Sequence, residues 1–184
     1  DALLTHPLLH NTPGPVLWTG LIEAVNRTPH EDYEDFLCQG LETRWVQVRY
    51  AAAMAIATRA KKSPLHPATL IALRQHQQAS EDFPIRLTAS YALLSSGESN
   101  SLAHLLQFLL PCIPTEVRKA ATFILATEFP LPLTAAQRAQ VTSYLIKLLT
   151  DPEPDIAQHA AHALAQLATP AIIPTLYTRL TEAP

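Results

Sequence analysis

The chain has 184 residues, 48% of them hydrophobic and 16% charged, and a net charge of −3. That much apolar surface can offset chain entropy, which excludes a disordered segment, and a charge so near zero does not favour a nucleic-acid binder. Four glycines against sixteen prolines exclude a sheet of tight hairpins, whose turns need glycine; they suit helices joined by rigid corners.

The sequence opens at Asp1 without Met and shows no signal peptide, and is expected to be a piece of a longer protein. Residues 1–12 read as the end of a preceding helix or as a tail. Pro15–Asn26 and His30–Leu41 follow as a first helical pair. Between them, Thr28-Pro29-His30-Glu31-Asp32 has the form of a helix start: a hydroxyl able to cap, proline in the first turn, then acids where the helix dipole favours them.

From Val48 onward one pattern recurs. Val48-Arg49 is followed by Ala52, Ala55 and Ile56. Ile85-Arg86 is followed by Ala89, Ala92 and Leu93, and Val117-Arg118 by Ala121, Ile124 and Leu125. Ile156-Ala157, followed by Ala160, Ala163 and Leu164, is the fourth copy. The offsets from the second residue are the same each time, and steps of three and four place these side chains on one helix face. Small alanines let a neighbouring helix come close. A second apolar helix is predicted after each copy, over Pro67–Gln78, Leu102–Leu110, Ala135–Leu149 and Ala171–Leu180. Prolines mark the corners, where they end one helix and fit the first turn of the next. The expected architecture is all-α, an α-α superhelix of about five hairpins. It forms one domain over 1–184, with repeats near 13–42, 44–80, 82–111, 114–150 and 152–181.

The last copy runs Asp151-Pro152-Glu153-Pro154-Asp155-Ile156-Ala157 to Leu167. Thr169-Pro170-Ala171-Ile172-Ile173-Pro174-Thr175-Leu176 then opens its second helix. This unit resembles a HEAT repeat, and is most similar to the bacterial HEAT-like type of phycobilisome lyase subunits. Glu81–Ser96 and Pro114–Thr127 resemble the first helix of the same unit. Ala157 stands where that type has Arg, the turn before Arg49 lacks Asp-Pro, and Glu128–Thr134 is longer than the family norm. The resemblance implies a HEAT-like solenoid, with first helices convex and second helices concave. It leaves function open, because such arrays serve as scaffolds, enzyme subunits, adaptors and repair proteins.

Candidate residues fall into a few sets. Arg49, Arg86 and Arg118 follow the packing period, so they are expected to tie repeat to repeat through acids or carbonyls of a neighbouring turn, with Glu81, Asp82 and Glu116 at hand. Residues 43–80 contain no acid and carry Arg44, Arg49, Arg59, Lys61, Lys62 and Arg74. This could be a patch for an acidic protein or phosphate-bearing ligand, or a solvated surface in which Lys61 and Lys62 simply suit a helix end. Arg74, His76, His104, Gln107, Arg138, Lys147 and Arg179, on second helices, are the expected contacts on the concave face. His159 and His162 are three apart but lack further ligands for zinc, so a surface pair is expected. Glu31, Asp32, Glu34 and Asp35 read as a capped first turn. Cys38 and Cys112 have no metal-ligand spacing and read as reduced thiols. No P-loop, dinucleotide, zinc-protease or nucleophile-elbow motif occurs, so no cofactor is expected.

The function expected is a cytoplasmic scaffold or adaptor that binds a protein partner on its concave face and is not itself an enzyme. The resemblance implies the alternative, a subunit of a phycobilin lyase-type enzyme acting on phycobiliproteins. A nucleic-acid-binding helical repeat protein is a further reading.

Overall fold

The computed structural model describes residues 14–28, 33–78, 81–128, 131–167, 173, 174 and 177. Among them every regular element is a helix: α1 Pro15–Arg27, α2 Tyr33–Leu41, α3 Val46–Ala60, α4 Pro67–His76, α5 Phe83–Ser95, α6 Ser101–Gln107, α7 Thr115–Thr127, α8 Ala135–Leu148 and α9 Pro154–Leu167. The last second-type helix expected, Ala171–Leu180, lies largely outside the described residues, as does the helix start at Pro29–Asp32. Thr28, at its edge, donates its hydroxyl back to the Ala24 carbonyl at 2.9 Å. Proline acts as expected at the helix starts, with Pro15 and Pro67 opening α1 and α4 and Pro84 in the first turn of α5.

The chain forms two compact units, Asp1–Ser101 and Leu102–Pro184. In the first unit, α3 packs between α1 and α5, while α2 packs on α3 and α4, and α4 on α5. The repeated pattern explains this. Val48, Ala52, Ala55 and Ile56 are buried, as are Ile85, Ala89, Ala92 and Leu93. Their alanines let the backbones approach. Gly40 on α2 allows the closest approach: a Cβ placed there would stand 3.0 Å from the Ala52 Cβ and 3.4 Å from Ile22 Cδ1. Trp18 of α1 stacks on Phe36 of α2, with ring centroids 4.9 Å apart.

Helix α5 is buried on all sides from Leu87 to Leu94. Its hydroxyls need partners there, since an unpaired buried polar group is costly. Thr88 donates to the Pro84 carbonyl and Ser90 to the Arg86 carbonyl, each at 2.8 Å, and the Gln77 amide donates to Ser90 Oγ at 3.1 Å. The helix ends in a Schellman turn. Gly97 takes φ +97°, its N–H bonds the Leu94 carbonyl, and the Glu98 N–H reaches Leu93. Glycine fits this left-handed position without a Cβ penalty.

In the second unit α7 and α8 both pack on α9. The fourth copy of the pattern is buried as predicted, through Ile156, Ala160, Ala163 and Leu164. In the third copy Ala121 and Leu125 are buried, whereas Val117 and Ile124 are half-buried. Thr134 and Gln137 form a capping box that fixes the start of α8.

Candidate functional site

Two of the repeat arginines, Arg49 and Arg118, act between first-type helices. Arg49, at the start of α3, donates to the Thr43 carbonyl at 3.0 Å, to Glu81 at 2.9 Å and to Asp82 at 3.2 Å. Its side chain is 15% exposed, as is that of Glu81. Arg118, at the start of α7, bonds Asp151 in the turn before α9, and both side chains are nearly buried. Each arginine thus reaches the turn that opens the next first-type helix in its unit. Lys119 adds Glu153 at 3.0 Å and Asp155 at 3.2 Å, and these carboxylates hold its ammonium above the usual lysine range. Glu116, expected as a partner of Arg118, instead lies 3.7 Å from Lys119. Arg86 places its guanidinium 5.4 Å from the Phe83 ring.

His76 belongs to the Arg49 cluster. Its Nδ1 lies 2.7 Å from Glu81 and its Nε2 lies 3.4 Å from Glu42. Burial opposes ionisation of Glu81. The hydrogen bonds with His76, the Asp82 N–H and Arg49 outweigh it, and hold that carboxyl below the usual carboxylate range. His76 is 9% exposed, so the helix position that suggested a partner contact turns its ring into an internal network. The second internal network starts at Glu34, 8% exposed, whose carboxylate accepts from the His66 N–H at 2.9 Å and the Thr69 hydroxyl at 2.7 Å. Glu34 therefore caps the start of α4 from a different helix, where the dipole favours an anion. Cys38 lies beside this cap, its thiol 3.6 Å from Thr69 Oγ1. Burial, together with nearby carboxylates, pushes the thiol up, against the Thr69 hydrogen bond. A raised thiol is a poor nucleophile. Cys112 is exposed.

The basic segment does not form one patch. Arg44 and Arg49 lie at one end of α3, and Arg59, Lys61 and Lys62 at the other, about 20 Å apart at 1.5 Å per helical residue. Arg49 is held by Glu81 and Asp82. Arg74 makes a two-pronged pair with Glu98, which raises its pKa further. Lys61 lies 5.5 Å from the Tyr91 ring and Arg44 4.9 Å from Trp45. The sequence count of cations is thus divided between two ends of a helix and partly neutralised from outside the segment.

The other expected contacts stay at the surface. His104 and Gln107 on α6 are exposed, as are Arg138 and Lys147 on α8. Arg138 Nε donates to the Leu133 carbonyl at 3.3 Å, and Lys147 lies 5.6 Å from the Tyr144 ring. Nine positions along the helix amount to about two and a half turns, so Lys147 lies on the exposed face of α8 with Ala136, Gln140 and Ser143, whereas Arg138, in the first turn, lies on the side of buried Val141 and Leu145. Arg179 lies outside the described residues. His159 is half-buried with its ring 5.3 Å from that of Phe123, while His162 is exposed. Among the described residues no group of three or more His, Cys, Asp or Glu could hold a metal, and no helix is long and apolar enough to cross a membrane.

Sequence reasoning passed over one regularity. Helices α3, α4, α5, α6 and α8 contain no Asp or Glu, and residues 99–115 and 129–150 are free of acids as well. The carboxylates between first-type helices sit instead in the turns, where Glu81, Asp82, Asp151 and Glu153 meet cations. A residue count by element would have found this; a count by window found only residues 43–80.

The two units are built from helices that pack side by side in a recurring register, which defines an all-α helical-repeat protein. Residues 102–184, the whole of the second unit, match the family model described as HEAT repeats, which supports a HEAT-like repeat family for the chain. No curated protein matches the chain.

Proposed function

We propose that the chain is a protein-interaction module, not an enzyme in its own right, and that it presents the exposed faces of its second-type helices to an acidic protein partner. The observation that carries this reading is the exposed face of α8, which lies within an acid-free stretch, residues 129–150. On α4, Arg74 is engaged by Glu98 and the His76 ring by Glu81. Helix α8 is the broadest remaining face. It exposes Ala136, Ala139, Gln140, Ser143 and Lys147 on one face. Small side chains there let a partner backbone approach, and Lys147 among them favours a carboxylate across the contact. Two unpaired cysteines agree with a reducing, cytoplasmic setting.

The test is affinity capture from the native host with the intact chain and with two variants, Ser143→Trp and the charge reversal Lys147→Glu. The same partner should come down with the intact chain and be lost with both variants while helicity is kept. Capture that ignores both variants refutes the surface. Nothing captured above background, together with substrate turnover by the isolated chain, refutes the class.

A further inference from the structure

We infer that Ser63 is a phosphorylation site, modified by a protein kinase that reads the lysines before it and the proline after it. Ser63 lies in the connection between α3 and α4, where Lys61, Lys62, Ser63, Pro64 and His66 are all exposed. Its N–H is held by the Arg59 carbonyl at 3.0 Å, so the turn is formed while the side chain stands in water.

The other exposed hydroxyls of the described residues are less suited. Those of Thr28, Thr127, Thr134 and Thr150 are bonded to the backbone, and Ser99 is engaged as well. Thr115 and Ser143 have no such bond but belong to α7 and α8. Phosphoryl transfer needs the acceptor oxygen in line with the γ-phosphorus, which a residue inside a helix reaches only when the helix unwinds. Ser63 is outside the helices, and its oxygen has no partner to give up. Residues 64–66 carry no helix or turn, with Leu65 as their buried anchor. Pro64 biases Ser63 toward extended backbone, the form in which a cleft takes up a peptide.

Charge points the same way, since kinases select substrates by the charge pattern around the acceptor. Arg59, Lys61 and Lys62 precede Ser63, and no acid occurs in residues 43–80. Lys61 lies 5.5 Å from the Tyr91 ring. In the reaction the Ser63 oxygen attacks the γ-phosphorus of a nucleoside triphosphate. The bond from that phosphorus to the β,γ-bridging oxygen breaks, the hydroxyl proton passes to a base of the kinase, and the nucleoside diphosphate leaves. The product adds a charge of about −1.5 to −2 at neutral pH, which cancels most of what Arg59, Lys61 and Lys62 supply. The C-terminal end of α3 disfavours an anion, and the adjacent ammonium groups offset this. Phosphorylation therefore switches this connection from cationic to nearly neutral.

The experiment incubates the full chain with native-host lysates, from growing and from starved cells, with phosphatase inhibitors and ATP labelled in its γ-phosphate. Label is quantified and mapped by tandem mass spectrometry. It should fall on Ser63 and vanish in Ser63→Ala. It should drop severalfold in Pro64→Ala and in Lys61→Ala/Lys62→Ala, and be unchanged in Thr115→Ala and Ser143→Ala, all with the circular dichroism of the intact chain. No label on Ser63 with either lysate overturns the inference. So does label that Ser63→Ala retains in full, or label on Ser63 that ignores both the proline and the lysine variants.

Discussion

Arg118→Met tests whether the arginine between first-type helices is structural. The Arg118 and Asp151 side chains are 10% and 5% exposed, so removing the guanidinium leaves a carboxylate buried with the Glu153 N–H, at 3.1 Å, as its remaining hydrogen bond. Breaking a buried pair by removing one partner costs about 3–5 kcal/mol, a large share of the ~5–15 kcal/mol that holds a domain folded. The double variant Arg118→Met/Asp151→Leu removes both charges and should recover most of that loss. Lys119→Ala, whose partners are more exposed, should change stability far less, because solvent screens such pairs. Urea denaturation followed by far-ultraviolet circular dichroism measures all of these by linear extrapolation. A loss below about 1 kcal/mol for Arg118→Met, or a double variant equal to the sum of the singles, would refute the reasoning.

Three further outcomes are expected. Gly40→Ala should gain about 1 kcal/mol in helix propensity yet lose about 1–3 kcal/mol to overpacking against Ala52, for a net loss that Ala52→Gly relieves in a double-variant melt. Glu34→Ala should cost about 2–3 kcal/mol, since the Thr69 hydroxyl and the His66 N–H lose a charged acceptor; faster hydrogen exchange in the first turn of α4 would locate the damage, and an unchanged rate there would sink the idea. Glu81 has a lowered carboxyl in the folded state, so its stabilising part is complete above the ordinary glutamate value of about 4.3 and is lost as pH falls through the folded value. The stability gap between the intact chain and Glu81→Gln should therefore be constant near neutrality and close in acid; a gap that widens below pH 4 contradicts the assignment.

The helices were legible because their signals are local. Proline placement and apolar periodicity set α4 and α8, predicted over Pro67–Gln78 and Ala135–Leu149, to within two residues of the helices observed, and the offsets from Arg49, Arg86 and Arg118 fall inside α3, α5 and α7. The role of Arg49 was legible as well, since Glu81 and Asp82 stand in the right turn. Side-chain fate on second-type helices was not. The helix position of Arg74 gave no sign that Glu98, held at its place by the Gly97 turn, would reach back to it. His76 ends its helix next to exposed Gln75, and its ring is engaged by Glu42 and Glu81 from other elements. A run of six cations also says nothing of distance, and α3 sets its ends far apart. Long-range pairing of this kind depends on how helices stack, which composition windows do not contain.

The arginine contacts have a direction. Arg49 and Arg118 each reach toward the C-terminus, to a turn 32 or 33 residues ahead. Shortening the protein is therefore not symmetric. Cutting before α9 would leave the Arg118 guanidinium on a helix whose counter-charge has gone with the removed segment. Cutting before α5 would do the same to Arg49. Removing α1 to α4 would instead leave Glu81 and Asp82 in a terminal turn, where water can solvate them. Helix α9 carries Ala157 at the arginine position, so it makes no such demand on the segment that follows it.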